Sequence, residues 1–324
     1  MESFRFSHPP LLVRVTFYLP GTSGTGFIVA RTAIEKNAEN VLLLNRPSSR
    51  SEKAEADLKA LKGSSKTNIE TIPCDLQDFA SVKKAGEAIN KKYGAVDVLC
   101  ANAGVMALED KATKDGYDVQ MQTNHLSQFM LMKDLMPCFK KAKELRGSAR
   151  IAIHSSSARM ETRSNGGGLL EAKYFEKNGG NLGGDGSSMF FGGARWIRYH
   201  QSKLANAVMA QALNDHLAGT GIYSAVADPG LALTNLQQTT NSDGGMGWGM
   251  WIMRFSQTAE DGSMPILSAC FKEDVGAGKI WVPSLSGGFR GPTVLQDLTS
   301  VCLDKDSREL LWKKSEEACG AFVV

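Results

Sequence analysis

Tyr199 and Lys203 are the two residues of this 324-residue sequence whose types and spacing most clearly suggest chemistry. They are four positions apart in a stretch predicted to be helical, so both side chains would project from one helix face. An ammonium group beside a phenol favours the phenolate, which suits the phenol for acid–base chemistry near neutral pH. An ordinary surface tyrosine and lysine is the alternative interpretation, so a catalytic role depends on a cofactor and partner groups elsewhere in the chain.

The composition is that of a folded globular protein and argues against several function classes. Hydrophobic residues make up 42% and charged residues 22% of the chain. A formal net charge of +3 is too small to indicate binding to nucleic acid or to an anionic membrane. The five His and six Cys have no metal-ligand spacing, so no metal site is predicted. The scattered Cys favour a reduced, cytoplasmic protein, with an organelle such as a plastid as the alternative, and no signal peptide or membrane span is predicted.

A glycine-rich turn near the start of the chain predicts a nucleotide-binding site. The apolar run 11–19 is predicted to be a strand, the glycine turn follows it, and residues 27–36 are predicted to be helical. Glycines in such a turn let the backbone approach a pyrophosphate group, which the free N–H groups of the helix start then bind. The predicted contacts in this turn are Gly21, Ser23, Gly24, Thr25 and Gly26.

Arg46 indicates which dinucleotide is bound. It follows the apolar run 41–44 closely and comes twenty residues after Gly26, where NAD-binding proteins place an acidic residue for the ribose 2′-hydroxyl. An arginine there, with Arg50 and Lys53 nearby, suits the 2′-phosphate of NADP(H) instead. An exposed loop arginine without a ligand is the alternative interpretation.

Alternating strand and helix patterns predict an α/β fold: a single domain, residues 1–324, with a doubly wound parallel sheet and helices on both faces. Residues 69–73 and 96–100 are predicted strands, and residues 117–143 are predicted to form one long helix. A further predicted strand runs into the serines 155–157. Ligands of such sheets lie beyond the carboxyl ends of the strands, so the glycine turn, Asn102 and these serines are expected to converge on one crevice.

The order of these motifs resembles that of the short-chain dehydrogenase/reductase family and implies its Rossmann-type domain. The resemblance covers roughly residues 11–275. Within the family, the runs 123–126, 201–206 and 311–316 are most similar to the branch of retinol-dehydrogenase-like and protochlorophyllide-reductase-like proteins. The motifs that carry it are the glycine turn, Asp75, Asn102-Ala103-Gly104, Asn124, Ser156, Tyr199 with Lys203, and Pro229-Gly230 with Thr234.

The resemblance implies a role for each matching residue. Tyr199 would be the general acid/base of a hydride transfer, and Lys203 would lower its pKa and hold the nicotinamide ribose. Ser156, rather than the serine on either side of it, would hydrogen-bond the substrate oxygen, and Asn124 would hold a water that relays protons to Lys203. Beyond the glycine turn, the implied cofactor contacts are Arg46, Asp75, Asn102, Ala103, Gly104, Tyr199, Lys203, Pro229, Gly230 and Thr234.

Together these roles predict an NADP(H)-dependent oxidoreductase that reduces a carbonyl group, or oxidises the matching alcohol, on a small apolar molecule. One alternative is a light-dependent protochlorophyllide-type reductase, which shares the Tyr/Lys pair. The other is a dinucleotide-binding sensor or scaffold without turnover. A homodimer through helix faces is the assembly that the family suggests, and neither nucleic acid nor a membrane span is expected.

Three stretches depart from the family pattern or extend it. A glycine-rich insertion of 41 residues separates Ser157 from Tyr199, and it is predicted to be either a lid over the substrate or a plain surface loop.

The run 246–255, rich in Met and aromatic residues, predicts an adaptable apolar substrate wall, with core packing as the alternative. Pro20 stands where the family has glycine, and since proline lacks an N–H and fixes φ, weaker cofactor binding is expected.

Overall fold

The computed structural model describes most of the chain, in the ranges 16–19, 23–163, 168–187, 192–232, 240–245, 256–273 and 277–324. Pro20, Gly21, Thr234 and the run 246–255 lie outside the described residues. The roles predicted for them therefore stay predictions.

In the described part of the chain, eight strands form one sheet in the order β3-β2-β1-β4-β5-β6-β7-β8. Strands β1 to β7 run parallel to one another, and β8 runs antiparallel to β7 at the sheet edge. The order 3-2-1-4-5-6 is that of doubly wound dinucleotide-binding sheets, so the predicted fold class is confirmed. The strands are β1 (Thr16–Leu19), β2 (Asn40–Asn45), β3 (Asn68–Pro73), β4 (Val98–Ala101), β5 (Ala149–His154), β6 (Ile222–Ala227), β7 (Lys279–Leu285) and β8 (Arg290–Asp297).

Helices cover both faces of this sheet. They are α1 (Gly24–Glu35), α2 (Ser49–Leu61), α3 (Phe79–Lys92), α4 (Val119–Met121), α5 (Ser127–Asp134), α6 (Met136–Arg146), α7 (Ala194–His216), α8 (Ala259–Phe271) and α9 (Lys305–Cys319). Val41 and Leu43 of β2 belong to the core shared with α1 and α8, whereas Leu42 and Leu44 belong to the core on the opposite face, as side-chain alternation along a strand requires. No helix in the described ranges is long and apolar enough to cross a membrane.

The helical segment predicted for residues 117–143 is present, but it is not one continuous α-helix. In the structure α4 leads into a π-helical turn, Gln122–Leu126, before α5 and α6 continue the segment. Pro137 lies in the first turn of α6, where a backbone N–H has no partner within the helix, so a proline is tolerated there. In one unbroken helix the same position would have needed that N–H. Isolated π-helical turns are uncommon and occur often at functional sites, and this one carries Asn124.

The chain beyond residue 275 adds elements that the sequence interpretation did not include. Strands β7 and β8 form a hairpin that extends the sheet. Helix α9 then reaches back to the π-helical turn, where His125 Nε2 and Ser315 Oγ are 2.8 Å apart. The thiol of Cys319 also donates to the carbonyl of Leu126 at 3.3 Å. The C-terminal helix therefore supports the turn that carries Asn124.

Candidate active site

The glycine turn, the end of β4 and the end of β5 meet at the carboxyl edge of the sheet. Asn102 follows β4, and its Oδ1 accepts a hydrogen bond from Thr25 Oγ1, in the first turn of α1, at 2.8 Å. The same oxygen lies 2.5 Å from Nδ1 of His154, the last residue of β5. Since Oδ1 only accepts, the His154 proton is on Nδ1. Asn102 thus ties the glycine turn to the strand that leads into Ser156.

Tyr199 and Lys203 lie on α7 beside this edge. The Lys203 ammonium is 5.9 Å from the centroid of the Tyr199 ring. The side chain of Ser156 lies close enough to the Tyr199 hydroxyl to lower its pKa. The hydroxyl of Ser155 points elsewhere and donates to the carbonyl of Lys203 at 2.8 Å. Of these two serines, Ser156 is therefore the one that the fold brings to the phenol.

Backbone groups lie close to the Lys203 ammonium on two sides. Its ammonium donates to the carbonyl of His154 at 3.2 Å, and Asn206 donates to the same carbonyl at 3.0 Å. On the other side, a Cβ added to Gly104 would lie 3.2 Å from Lys203 Nζ and 3.1 Å from Asn124 Oδ1. Position 104 therefore needs a glycine if the ammonium and the amide are to keep their places.

Asn124 braces the chain that follows Gly104. Its Oδ1 accepts the N–H of Val105 at 2.7 Å, and its Nδ2 donates to the carbonyl of Val105 at 2.9 Å. Nδ2 also donates to Ser202 Oγ at 2.8 Å. Both amide hydrogens are used in these bonds, so a water bound by this side chain must donate to Oδ1. The predicted role of Asn124 in a proton relay stays a prediction.

The other predicted cofactor residues lie along the same edge. Arg46 follows β2 and is exposed, while Arg50 Nη2 donates to Ser23 Oγ at 2.5 Å beside the glycine turn. Asp75 follows β3, half-buried, with its Oδ1 accepting a backbone N–H at 2.9 Å. The remaining described residues of the set are Gly24, Thr25 and Gly26 at the start of α1, Ala103 and Gly104 after β4, and Pro229 and Gly230 after β6.

Burial controls the protonation of Tyr199 and Lys203. Desolvation raises the pKa of Tyr199 well above its ordinary value, and the neighbouring Ser156 side chain offsets only part of that shift. Desolvation lowers the pKa of Lys203 to about 8, although Asp228 opposes the shift. Desolvation is the largest influence on the Tyr199 pKa, so the predicted lowering of that pKa by Lys203 stays a prediction. At neutral pH the phenol is protonated and the ammonium is charged.

A buried ion pair that the sequence interpretation missed adjoins the site. Arg159 binds Asp228 through Nη1, and the two side chains are only 6% and 3% exposed. The same guanidinium donates to the carbonyl of Ser156 at 2.7 Å, so the pair fixes the backbone of that serine. The charge of Asp228 also raises the pKa of both Tyr199 and Lys203. An arginine three residues after Ser156 and an acid directly after a strand were the only signals in the sequence.

We predict that Gly104→Ala weakens cofactor binding and turnover together. The added methyl group would lie 3.1 to 3.2 Å from Asn124 Oδ1 and Lys203 Nζ, so one of them has to move by a few tenths of an ångström. Misplacement of a positioned catalytic group costs about tenfold to a hundredfold in rate. NADPH titration and initial rates measure the effect. Gly168→Ala is the matched control, since among the described residues no atom lies within 4 Å of its added methyl. Wild-type behaviour of both variants would contradict the close approach at Gly104.

Sequence comparison with known proteins agrees with this arrangement. A family model described as short chain dehydrogenase matches residues 14–166. An uncharacterized oxidoreductase of Schizosaccharomyces pombe is 32% identical over 230 residues, which cover 70% of this chain and 63% of that protein. The chain therefore spans less than two thirds of the length of this relative.

Solved structures share the fold. An uncharacterized protein from Mycobacterium paratuberculosis matches with a TM-score of 0.70 at 23% identity, over 98% of each chain. RhlG from Pseudomonas aeruginosa, solved as an active-site complex with NADP, matches with a TM-score of 0.59 at 20% identity, over 83% of this chain and 94% of that one. The family model and the relative in fission yeast show that this chain belongs to the short-chain dehydrogenase/reductase family, and the solved structures show the shared fold.

Proposed function

We propose that the protein transfers hydride from NADPH to the carbonyl group of a small apolar molecule, with Tyr199 as the proton donor. The observation that carries this proposal is the contact of the Tyr199 and Ser156 side chains at the sheet edge where doubly wound folds bind dinucleotides. The nicotinamide supplies the hydride when the cofactor is bound. The chain's own residues must bind the carbonyl oxygen and deliver the proton.

The residues at this edge fit a dinucleotide. Helix α1 begins at the glycine turn, and its N-cap residue, Ser23, makes no side-chain cap. The first N–H groups of α1 are therefore available to an anionic pyrophosphate. Gly104 keeps side chains away from the Lys203 ammonium, which leaves that cation beside bare backbone. Lys203 would hold the nicotinamide ribose from this position.

Ser156 and Tyr199 would bind the substrate oxygen between their hydroxyls. As the carbonyl carbon accepts hydride, negative charge develops on that oxygen, and a phenol kept protonated by burial can donate to it. The proton transfer leaves a phenolate on Tyr199. Lys203, whose pKa of about 8 keeps the ammonium largely charged at neutral pH, stabilises that phenolate.

An apolar cluster around Tyr199 supports an apolar substrate. The cluster consists of Met106, Ala107, Trp196 and Tyr199, with Ala158 and Leu231 packed against it. The Trp196 and Tyr199 rings meet edge to face, with centroids 5.9 Å apart. A substrate whose carbonyl lies against Tyr199 would therefore have hydrocarbon and ring surfaces beside it.

Two arginines support NADP(H) over NAD(H). Arg46 is exposed after β2, and Arg50 contacts Ser23 of the glycine turn, so both cations lie where the adenosine ribose binds in this fold. No acidic residue occurs between Leu44 and Glu52 to bind a ribose 2′-hydroxyl. A guanidinium binds a phosphate through charge-assisted hydrogen bonds.

Arg46→Asp is expected to erase or invert a preference for NADPH over NADH. A charge-assisted contact with phosphate contributes about 1.5–3 kcal/mol, or roughly tenfold to a hundredfold in affinity. Fluorescence titration with both cofactors measures the preference. Lys66→Asp is the matched control, since it makes the same charge change on an exposed residue. Lys66 precedes the amino end of β3, whereas Arg46 follows the carboxyl end of β2. Equal affinity of the unchanged protein for the two cofactors would remove the basis for NADP(H).

The proposed activity is tested by oxidation of NADPH with a panel of aromatic and aliphatic aldehydes and ketones in the dark. Turnover of at least one apolar member supports the proposal and argues against a light-dependent reaction. NADPH binding without oxidation by any member would contradict it and favour a sensor or scaffold.

A further inference from the structure

The glycine-rich insertion is bonded to the helix that carries Tyr199. Arg195, Arg198 and Gln201, spaced by three positions along α7, each donate to a backbone carbonyl within residues 168–187, at 3.1, 2.9 and 2.9 Å. The neighbouring stripe of the same helix carries Trp196, Tyr199 and Lys203. The described part of the insertion is therefore attached at both of its ends to the back of the candidate site.

Arg198 is the most buried of these three anchors. Its guanidinium is 0% exposed and lies 3.3 Å from Asp118 and 3.7 Å from Asp110. Asp110 in turn accepts the N–H groups of Leu182 and Gly184 at 2.7 and 2.8 Å. Arg198 also donates to the Gly184 carbonyl, so residues 182–184 supply hydrogen-bond partners to both members of this buried ion pair, and their loss would leave those charged groups without these partners. In the ranges described, the insertion is thus a built part of the fold and not a plain surface loop.

Arg195 extends the connection to the chain that follows β6. Its Nη1 donates to Asp243 Oδ2 at 2.9 Å, to the Asp243 carbonyl at 2.7 Å and to the Ala107 carbonyl at 3.3 Å. Its Nε donates to the Asp185 carbonyl at 3.1 Å, and the side chain is 10% exposed. Three segments meet on this one arginine, and we call them the rim: residues 105–109, 185–186 and 240–245.

Close packing also holds the segment 240–245 in place. A Cβ on Gly245 would stand 2.5 Å from the carbonyl oxygen of Ala107, so only a glycine permits this approach. Trp196 Nε1 donates to the carbonyl of Gly245 at 3.1 Å. Since the Trp196 ring also contacts that of Tyr199, the rim rests on the apolar cluster that surrounds the proposed proton donor.

We propose that Arg195 and Asp243 are substrate-positioning residues, which hold the rim so that the carbonyl compound is fixed against Tyr199. The inference rests on the proposed function, because that function names what the rim positions. Arg195 donates its hydrogen bonds to the rim, and it lies on a different stripe of α7 from Tyr199, the proposed proton donor. Loosening the rim therefore weakens substrate binding and leaves cofactor binding and proton transfer in place.

Asp243→Asn tests this inference because it removes the charge and keeps the shape of the side chain. We expect faster hydrogen–deuterium exchange of the rim amides. We also expect the KM for para-nitrobenzaldehyde to rise about tenfold or more, with kcat and the Kd of NADPH changed by less than about threefold. Gly245→Ala, which forces the same segments apart by contact, should give the same pattern.

Glu260→Gln is the matched control. It removes a carboxylate from an exposed ion pair with Arg31 of α1, on the other face of the sheet from α7, and should change neither readout. Unchanged hydrogen–deuterium exchange in Asp243→Asn would show that the Arg195–Asp243 pair does not hold the rim. Faster exchange with an unchanged KM would show that the rim does not position substrate, and a parallel loss of NADPH affinity would show general destabilisation. Each of these three results overturns the inference.

A second binding measurement separates this inference from the proposed function. If the unchanged protein oxidises no NADPH, the proposed function fails. The Kd of para-nitrobenzyl alcohol in the presence of NADPH, a pair that cannot react, then replaces KM and is measured by calorimetry. A Kd raised about tenfold in Asp243→Asn supports the rim as a ligand-positioning device, and an equal Kd in both proteins overturns it.

Discussion

Tyr199→Phe is expected to lower kcat by about a hundredfold or more while the Kd of NADPH changes by less than about threefold. The substitution removes only the hydroxyl that contacts Ser156, and the ring keeps its edge-to-face packing with Trp196. Without a positioned proton donor, the charge that develops on the carbonyl oxygen is not neutralised. Steady-state rates and NADPH titration of the same preparations measure the two quantities.

Tyr223→Phe is the matched control for this substitution. Tyr223 lies on β6, is 43% exposed and is directed away from the core, so loss of its hydroxyl should leave kcat and NADPH affinity unchanged. A Tyr199→Phe variant that keeps more than about a tenth of the rate would mean that the proton comes from another group. Loss of NADPH binding in that variant would mean that the hydroxyl serves the cofactor and not the substrate oxygen.

Acid is expected to destabilise the protein, because three buried histidines together lose about 5 kcal/mol of stabilisation between pH 7 and pH 5. Asp118, whose pKa burial raises to about 6, opposes this loss by about 1 kcal/mol. Desolvation lowers the pKa of His125 and of His154 to about 3 and that of His200 to about 4. Below its ordinary pKa of about 6.5 each histidine binds a proton in the unfolded chain but not in the folded one. The stability that these neutral, buried histidines contribute is therefore complete above about pH 6.5. It is lost as the pH falls towards their folded-state pKa values of about 4 and 3.

Urea unfolding followed by tryptophan fluorescence at pH 7 and pH 5 measures this loss. Since native proteins have roughly 5–15 kcal/mol of stability in total, this loss is a large share of it and lowers the urea midpoint at pH 5. His125→Gln removes one titrating group while its amide can still reach Ser315, so it should reduce the pH-dependent loss by about a third. A free energy of unfolding that is the same at both pH values would contradict the neutral, buried state of these imidazoles.

The sequence predicts the parts of the fold that depend on local pattern. The run Val41–Leu44 is apolar on both of its faces, as a central parallel strand must be, and the order of such runs leads to the observed sheet. The contact of Asn102 with Thr25 follows from the rule that the carboxyl ends of parallel strands share one edge. The order of the motifs was enough to predict that Ser156, Tyr199 and Lys203 lie at that edge.

Contacts between residues far apart in the chain could not be predicted in this way. Arg159 and Asp228 are 69 positions apart, and nothing in their local sequence indicates that each neutralises the other in a buried setting. The π-helical turn at Asn124 depends on Ser315 of α9, 190 positions after His125. The raised pKa of Tyr199 likewise results from packing, whereas the spacing of Tyr199 and Lys203 alone suggested the opposite shift. Local periodicity carries no information about such partners.

Transfer of deuterium from NADPH to the substrate tests the central claim most directly. With NADPH that carries deuterium at both C4 positions of the nicotinamide and para-nitrobenzaldehyde as the acceptor, mass spectrometry shows where the label goes. Hydride transfer assisted by Tyr199 predicts labelled para-nitrobenzyl alcohol, with deuterium on the carbinol carbon in proportion to the NADPH oxidised, and at least about a hundredfold less of it with Tyr199→Phe saturated with cofactor. Equal labelling by the two proteins, or oxidation of NADPH without labelled alcohol, would contradict it.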